Sequence, residues 1–424
     1  MKQKKILLLL VGSVLFLGAC VTNSSVEADT FDEIYNYIDQ QDYFIARTSY
    51  VEKKDELNPT HQKIIRALLA NSFNNLDESE KLIDELLKNK SDLPESVQFK
   101  LYLTQRDNAT KLYEYKKAAD AVDIILKNYT EYVPDIQDYE NDFTLWSSLK
   151  DAPQQRVVIN DNTTVMMKKD KVGLDNLEVS ANGSSSLFIF DTGANLSTTT
   201  ESVAKMFGMK IIPTEINIGT STGHEVFAKL ALCDEFSFGD IDVFNAVFLV
   251  LPDEQLSFPD MEYQIYGILG YPVMAALKEV KLSRNGEFIV PKEETTFTEP
   301  PNLAMNNLDI LINIEEKSFH FDTGAVDLLL YYRFYVENKE ELESSCQLQK
   351  VNIGGASGIH EFDGFKIDRE FEFGGDNILF KDIIVLKDEL PSNGQNYYGL
   401  IGQVLINRYK TMTLNFDKMH IKFE

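Results

Sequence analysis

The sequence predicts an all-α N-terminal domain that resembles a helical repeat, followed by an all-β domain built from two lobes. From Thr30 to about Leu149, apolar residues recur at three- and four-residue steps, which is typical of amphipathic helices. From about Arg156 the pattern changes to short alternating segments separated by Gly, Asn and Asp. The tetrapeptide Asp-Thr-Gly-Ala occurs twice in this β region, starting at Asp191 and at Asp322.

Composition excludes some classes of partner. The formal net charge is -26, so the phosphates of nucleic acids and anionic lipid head groups would be repelled. We therefore expect no nucleic-acid partner. The five histidines are scattered and no cysteine pair has ligand spacing, so we expect neither a metal site nor a cofactor. Cys233 and Cys346 lie in different halves of the β region, and we expect separate, mostly buried thiols.

The N-terminus predicts export. Lys2, Lys4 and Lys5 precede a short apolar stretch, Ile6 to Leu17, which is too brief to predict a transmembrane span. Small residues before Cys20 resemble a bacterial lipoprotein signal. The resemblance implies cleavage before Cys20, lipid attachment there, and an exported protein anchored to a membrane on the periplasmic or cell-surface side. An ordinary signal peptide with an unrelated Cys is the alternative.

The helical region is divided by prolines. Pro59, Pro94 and Pro134 are spaced by 35 (94 − 59) and 40 (134 − 94) residues. Helix pairs at that interval resemble tetratricopeptide arrays, with Ala70 and Ala118 as small residues where helices could pack closely. A plain helical bundle is the alternative interpretation.

Domain boundaries follow these changes in pattern. We predict a signal peptide at residues 1–20 and a helical domain at 21–150, which begins with a polar tether from Val21 to Asp29. The first lobe is predicted at residues 151–292 and the second at 302–424. The polar segment between them, Pro291 to Pro301, is bounded by prolines and is predicted to be a linker.

The two lobes are copies of one unit. Four blocks recur in the same order. They pair LEVSANGSSSLFIFDTGA with LDILINIEEKSFHFDTGA, INIGTSTGHE with VNIGGASGIHE, FSFGD with FEFGGD, and YGILGYPVMAALKEVKL with YGLIGQVLINRYKTMTL. Asp191 lies 79 residues before Gly270 (270 − 191), and Asp322 lies 80 before Gly402 (402 − 322). Matched blocks at matched spacing indicate duplication, whereas a lone Asp-Thr-Gly would be read as a simple turn.

Duplication predicts a composite site. If two homologous lobes pack about a pseudo-twofold axis, Asp191 and Asp322 face each other. Two adjacent carboxylates cannot easily both ionise, so they share one proton and titrate as a pair. The ionised member can take a proton from water while the protonated member donates to a carbonyl oxygen. This arrangement would let water attack a peptide bond without a covalent intermediate.

These motifs resemble the aspartic protease superfamily. Each lobe is similar to a retropepsin, and the presence of both lobes on one chain is similar to pepsin, so the resemblance implies a double β-barrel. It also implies roles for eight residues of the two motifs. Asp191 and Asp322 would be catalytic, Thr192 and Thr323 would hydrogen-bond across the interface, Gly193 and Gly324 would permit the tight loops, and Gly270 and Gly402 would allow close backbone approach.

Two segments would form flaps over the cleft, but they depart from the pepsin pattern. The stretches Gly219 to Gly223 and Gly354 to Gly358 lack the flap tyrosine of pepsin-like proteins. Each is followed by a His-Glu pair, which contains His224 in the first copy and His360 in the second. These residues are candidate substrate contacts, or else solvent-facing strand residues. His320 shares a strand face with Asp322, and we expect it to be packed and hydrogen-bonded rather than catalytic.

The resemblance implies an aspartic endopeptidase that acts on a peptide or protein substrate. A non-catalytic peptide-binding or sensor lipoprotein that keeps the same fold is the alternative. The helical domain could offer a surface to a protein partner, or cover the cleft and keep the enzyme latent. Ala194 and Ala325 stand where pepsin-like sites usually carry Ser or Thr. A hydroxyl there would favour the ionised carboxylate, so its absence predicts activity at weakly acidic to near-neutral pH.

Overall fold

A computed structural model describes residues 17–219, 225–355, 358–373, 375–390 and 396–424, without the side chains of residues 17–26, 219, 225, 355 and 358. The predicted signal peptide therefore lies mostly outside the described residues, as do Gly223 and His224, and the side chain of Cys20 is not described. Within the described ranges, no helix is both long and apolar enough to span a bilayer.

The N-terminal region is helical, as predicted. Consecutive helices pack against each other, most extensively α3 with α4, α5 with α6, and α6 with α7. The α-helices are α1 Leu17–Asp39, α2 Tyr43–Lys53, α3 Pro59–Ser72, α4 Leu76–Leu87, α5 Glu95–Lys111, α6 Tyr115–Asn128 and α7 Ile136–Ser148. Short 3-10 turns lie at Lys54–Glu56, Lys90–Asp92 and Thr130–Tyr132. Pro59 occupies the first turn of α3, where no intrahelical N–H is needed, and Asn58 caps that helix by accepting from the His61 N–H at 2.8 Å.

The predicted tether from Val21 to Asp29 is wrong. Helix α1 runs through this segment without a break. Its polar composition resembles that of a linker, but neither Pro nor Gly interrupts the chain between Ala19 and Asp39. Polar residues are compatible with a helix when only one face has to pack, and Ile34 and Ile38 supply that buried face.

The first lobe contains a closed barrel of six strands. The ladder runs β4, β5, β12, β6, β9, β8 and returns to β4. The elements are β1 Arg156–Ile159, β2 Thr163–Met166, β3 Lys168–Lys169, β4 Asp175–Ala181, β5 Ser184–Phe190, β6 Ser197–Thr200, α8 Glu201–Met206, β7 Lys210–Gly219, β8 Glu225–Phe238, β9 Ile241–Leu251, β10 Ser257–Phe258, β11 Tyr263–Gln264, β12 Gly267–Leu269, α9 Tyr271–Ala276, β13 Glu279–Ser283 and β14 Glu287–Val290, with 3-10 turns at Asp253–Leu256 and Pro259–Met261.

The second lobe repeats this order. Its sheet runs β15, β16, β17, β22, β18, β21, β20, β19. The elements are β15 Leu303–Asn306, β16 Asp309–Ile314, β17 Lys317–Phe321, β18 Leu328–Leu330, α10 Tyr332–Glu337, α11 Lys339–Ser345, β19 Gln349–Gly355, β20 Gly358–Phe373, β21 Asp376–Leu386, β22 Gly399–Ile401, α12 Gln403–Ile406, β23 Thr411–Asn415 and β24 His420–Phe423. The predicted fold class, a helical region followed by a two-lobed β domain, is confirmed.

A sheet of strands from both lobes joins them. It runs β2, β14, β13, β23, β24, and Val280 of β13 pairs with Leu414 of β23. The segment between the lobes, residues 291–302, contains neither helix nor strand, but it is fixed to this sheet. Buried Glu279 accepts from the Thr295 hydroxyl at 2.7 Å and from the Asn415 amide at 2.8 Å. The free thiols of Cys233 and Cys346 are buried and half-buried, respectively.

Candidate active site

Each Asp-Thr-Gly loop begins where a core strand ends. Phe190 and Phe321 are buried in the barrel cores, so the following residues, Asp191 and Asp322, point away from the cores. Strand β12 runs parallel to β5, and β22 runs parallel to β17. The loops are held on these neighbours, because the Asp191 N–H donates to the Leu269 carbonyl at 3.2 Å and the Asp322 N–H donates to the Ile401 carbonyl at 3.0 Å.

The two threonines join the loops through a buried set of hydrogen bonds. The Thr192 N–H donates to Thr323 Oγ1 at 3.0 Å, and the Thr323 N–H donates to Thr192 Oγ1 at 2.9 Å. Each hydroxyl then donates to the other lobe: Thr192 to the Phe321 carbonyl and Thr323 to the Phe190 carbonyl, both at 2.7 Å. Both threonines are buried, so these four bonds hold the loops in one relative position.

The glycines leave space for the opposite carboxylate. A Cβ on Gly193 would lie 2.6 Å from Cγ of Asp322, and a Cβ on Gly324 would overlap the Asp191 carboxyl. Each glycine N–H also donates to the aspartate of its own loop, at 2.9 Å in the first and 2.7 Å in the second. The loops therefore interlock, and the two carboxyl groups come into contact.

The electrostatics of the pair are those of a shared proton. Burial, the negative charge of Asp322 and a hydrogen bond between the two carboxyl groups raise the pKa of Asp191 well above its usual range. The N–H groups of Gly193 and Ala194 oppose this shift. Both aspartates are only half-buried, so the pair can still be reached from solvent. A pair that shares one proton holds one acidic and one basic group side by side.

Gly270 and Gly402 lie directly beneath the loops. A Cβ on Gly270 would come within 2.6 Å of the Ala194 carbonyl, and one on Gly402 would overlap the Ala325 carbonyl. The residues that follow them bond to the same carbonyls, because the Tyr271 N–H donates to Ala194 and the Gln403 N–H donates to Ala325, both at 2.8 Å. Only a residue without a side chain fits this approach.

Two supporting side chains were missed by the sequence reasoning. Buried Gln403 donates from Nε2 to the Thr323 carbonyl at 3.0 Å, and the Gly270 N–H donates to Ser197 Oγ at 3.0 Å. The only available signal was position, since Gln403 directly follows a matched glycine and Ser197 follows the first Asp-Thr-Gly loop. Both stabilise the loops rather than reach the carboxylates.

The predicted flap residues lie in two long hairpins, β7–β8 and β19–β20. Gly219 ends β7 and pairs with Glu225, while Gly354 pairs with Ile359. His360 is half-buried on β20, and Gly358 begins that strand. Gly223 and His224 remain untested, since they fall in the gap between 219 and 225.

His320 is packed on the cleft side of β17, as expected. Its ring lies 6.0 Å from that of Tyr397, and the residue is buried. Its Nε2 has no hydrogen-bond partner within the described part of the chain. The strands on either side explain this, because they place Leu311 and Leu400 opposite His320 and offer apolar side chains only.

The closed six-strand barrel and the paired Asp-Thr-Gly loops are consistent with a retropepsin-like aspartic protease fold. A family model described as aspartyl protease matches residues 177–273, which include Asp191 and Gly270. This match supports an aspartic-protease type of function in general terms. No curated protein matched the chain.

Two solved structures are similar to parts of this chain. A retropepsin-like aspartic protease from Rickettsia conorii is 16% identical, over 32% of this chain and 92% of that chain, with a TM-score of 0.23. Basic 7S globulin from soybean is 10% identical, over 62% of this chain and 94% of that chain, with a TM-score of 0.36.

Proposed function

We propose that the protein is an aspartic endopeptidase that hydrolyses peptide bonds with water activated by Asp191 and Asp322. The observation that supports this most is the contact between two carboxyl groups from separate lobes, held by the reciprocal bonds of Thr192 and Thr323. Neither bond would be needed if each loop were an independent turn.

In the proposed mechanism the two carboxyl groups exchange roles. The ionised aspartate accepts a proton from a water molecule as the water oxygen attacks the peptide carbonyl carbon. The protonated aspartate donates its proton to the carbonyl oxygen, giving a tetrahedral diol. The aspartate that took the water proton then donates it to the amide nitrogen, while the other aspartate accepts a proton from a diol hydroxyl. The C–N bond breaks, the new carboxyl group and amine are released, and the pair again holds one proton. The raised pKa of Asp191, which is caused by burial and by the neighbouring Asp322 carboxylate, favours retention of one proton by the pair.

A peptide library tests this proposal. The form lacking residues 1–20 is incubated with mixed peptides beside an Asp191→Asn variant, and new termini are identified by mass spectrometry. We expect cleavage by the wild type only. Binding of peptides without new termini would instead support the non-catalytic sensor that was the alternative.

We also propose that the chain is an exported lipoprotein anchored at Cys20. Support comes from Lys2, Lys4 and Lys5, the apolar stretch and the small residues before Cys20. Replacing Cys20 by Ser should move the protein from the membrane to the soluble fraction. Sedimentation of this variant with membranes after a high-salt wash would contradict the anchor.

We propose, finally, that the helical region is tetratricopeptide-like. The pairs α3–α4 and α5–α6 begin at Pro59 and Glu95, which are 36 residues apart (95 − 59), close to the interval of such arrays. Buried Ala118 of α6 is consistent with close helix packing. An experimental structure that shows no common superposition of the two pairs would contradict this proposal.

A further inference from the structure

The sheet face that carries Asp191 extends across the first lobe. Phe188 and Phe190 point into the barrel, so Ile189 and Asp191 lie on the opposite face of β5. Residues in cross-strand register share a face. Starting from Ile189, the register partners on successive strands are Ile268, Thr198, Leu249 and Leu230. This row forms the wall of the cleft on the first-lobe side.

Helices α5–α7 cover the far end of that row. Leu249 and Leu230 share a buried cluster with Leu145 and Trp146 of α7 and with residues of α5 and α6. Leu196, five residues after Asp191, packs against the same cluster. The sheet face that begins at β5, the strand before Asp191, therefore ends beneath the helical region.

Helix α7 is also bonded to the hairpin above that face. Asn141 donates from Nδ2 to the Asn217 carbonyl at 2.6 Å and accepts from the Asn217 N–H at 2.8 Å. One side chain thus satisfies both backbone groups of a residue on the edge strand β7. This contact closes the space between the hairpin and the sheet face from the side of the helices.

The helices also cover the second lobe, on the face of β16 and β17 that lies on the same side as Asp322. Ser318 and His320 lie on the same face of β17 as Asp322. Ser318 Oγ donates to the carbonyl of Gln41, in the turn between α1 and α2, at 2.8 Å. Leu311, the register partner of His320, belongs to a buried cluster with α1–α5. The helical region therefore covers one half of the cleft from both lobes.

Among the residues that the structure describes, no helix covers the other half of the cleft. Residues of the first Asp-Thr-Gly loop correspond to residues 131 positions later in the second lobe. Leu196 therefore corresponds to Asp327, and Asp327 is exposed. The row equivalent to Thr198–Leu249–Leu230 is Leu329–Ile384–Lys366. Leu329 and Ile384 are half-buried and Lys366 is exposed. The two halves of a pseudo-symmetric cleft thus differ because helices cover only one of them.

The helices that cover the cleft share buried hydrophobic clusters with both lobes, so they are not a removable segment. Leu230, Leu311 and Ala304 are fully buried in clusters shared with the helices. Buried Asp42 forms a two-bond ion pair with half-buried Arg333 at 2.7 and 3.0 Å. Displacing the helices would expose the apolar side chains and leave a buried charge unpaired, which is strongly unfavourable.

We infer that the substrate is the end of an extended polypeptide, because a bound polypeptide can extend from Asp191 and Asp322 in one direction only. The inference rests on the proposed peptidase function and narrows it from internal cleavage at any position to cleavage near one end of the substrate. The helices begin to cover the sheet face at β9, which is three strand spacings from β5. This distance is roughly 14 Å, or the length of about four extended residues. Cleavage is therefore expected within about four residues of one terminus. Substrate enters over Leu329 and Ile384.

A linear peptide and its head-to-tail cyclised form test the inference with the full chain in detergent. We use a peptide of about 20 residues taken from the library hits. The linear form should lose short fragments from one end only, and the cyclic form should be cleaved at least 50-fold more slowly. Cuts spread along the linear peptide, or comparable cleavage of the cyclic form, would overturn the inference while leaving the peptidase proposal intact. No cleavage of any linear peptide would overturn both.

A pair of variants tests the open half. Ile384→Trp places a large ring on the row and should lower kcat/KM at least 10-fold without altering thermal unfolding. Leu379→Trp, on the same strand and 46% exposed, is the control and should leave kcat/KM unchanged. Equal activity of the two variants would show that substrate does not cross Ile384.

Discussion

Thr192 and Thr323 each donate a backbone N–H to the other's hydroxyl, at 3.0 and 2.9 Å. They lie 131 residues apart in the chain and in different lobes. A pair of bonds that maps onto itself when the partners are exchanged marks a local twofold axis. The two carboxyl groups lie in contact beside this axis, and each prediction below alters one part of the arrangement.

The first prediction concerns the carboxyl groups themselves. Asp191→Asn and Asp322→Asn should each lower kcat by roughly 10²–10⁴-fold or more, because one group cannot supply both acid and base. The double variant should be no worse than either single variant, since the pair acts as one unit. Exposed Asp240→Asn is the matched control and should keep wild-type kcat. Substantial activity in one single variant would contradict a composite site.

The second prediction concerns the loop glycines. Gly193→Ala should abolish activity and lower the melting temperature, because its Cβ would lie 2.6 Å from the Asp322 carboxyl. Gly324→Ala should do the same through Asp191. Gly354→Ala is the control for the melting temperature alone, since its Cβ would meet nothing within 4 Å but Gly354 is itself a candidate flap residue. Thermal unfolding and peptide cleavage are measured together. An active, stable Gly193→Ala variant would mean that the loops do not interlock as described.

The third prediction concerns the buried threonines. Thr192→Val leaves the Thr323 N–H and the Phe321 carbonyl without partners, and each unsatisfied buried group costs about 1–3 kcal/mol. We therefore expect the free energy of unfolding to fall by about 2–6 kcal/mol in denaturant titrations. Thr192→Ser keeps the hydroxyl and should lose much less. Similar losses in both variants would point to the methyl group rather than to the hydrogen bonds.

The fourth prediction concerns pH. Activity needs one proton on the pair, and the raised pKa of Asp191 means that this proton is retained to higher pH. Activity should therefore persist through weakly acidic pH and fall as the pH rises through that raised value. In the Ala194→Ser, Ala325→Ser variant the added hydroxyls stabilise the ionised form, so the high-pH limb should move down by about one unit. The pH–rate profiles of both proteins are the measurement. An unchanged or upward-shifted limb would show that these positions do not control the titration.

Local pattern was sufficient for the fold class and for the pairing of the two Asp-Thr-Gly loops. The copies were visible because duplicated segments keep their order and spacing, and residues 177–273 also match an aspartyl protease model. Alternation along β5 and β17 placed Asp191 and Asp322 on the face away from the cores. The helices of the N-terminal region were predicted from apolar spacing. The same criterion wrongly predicted a tether from Val21 to Asp29, where apolar residues are few. Polar residues alone do not end a helix, and α1 continues through this segment.

Only the tertiary structure decided which half of the cleft is open. Leu249 and its counterpart Ile384 are both apolar residues on equivalent strands, yet one is covered by α7 and the other is half-exposed. Their difference depends on contacts with Leu145 and Trp146, about a hundred residues away, and apolar periodicity does not specify which surface an apolar face will meet. Duplication makes the two lobes alike in sequence, whereas a single helical region can pack on only one side of the axis that relates them.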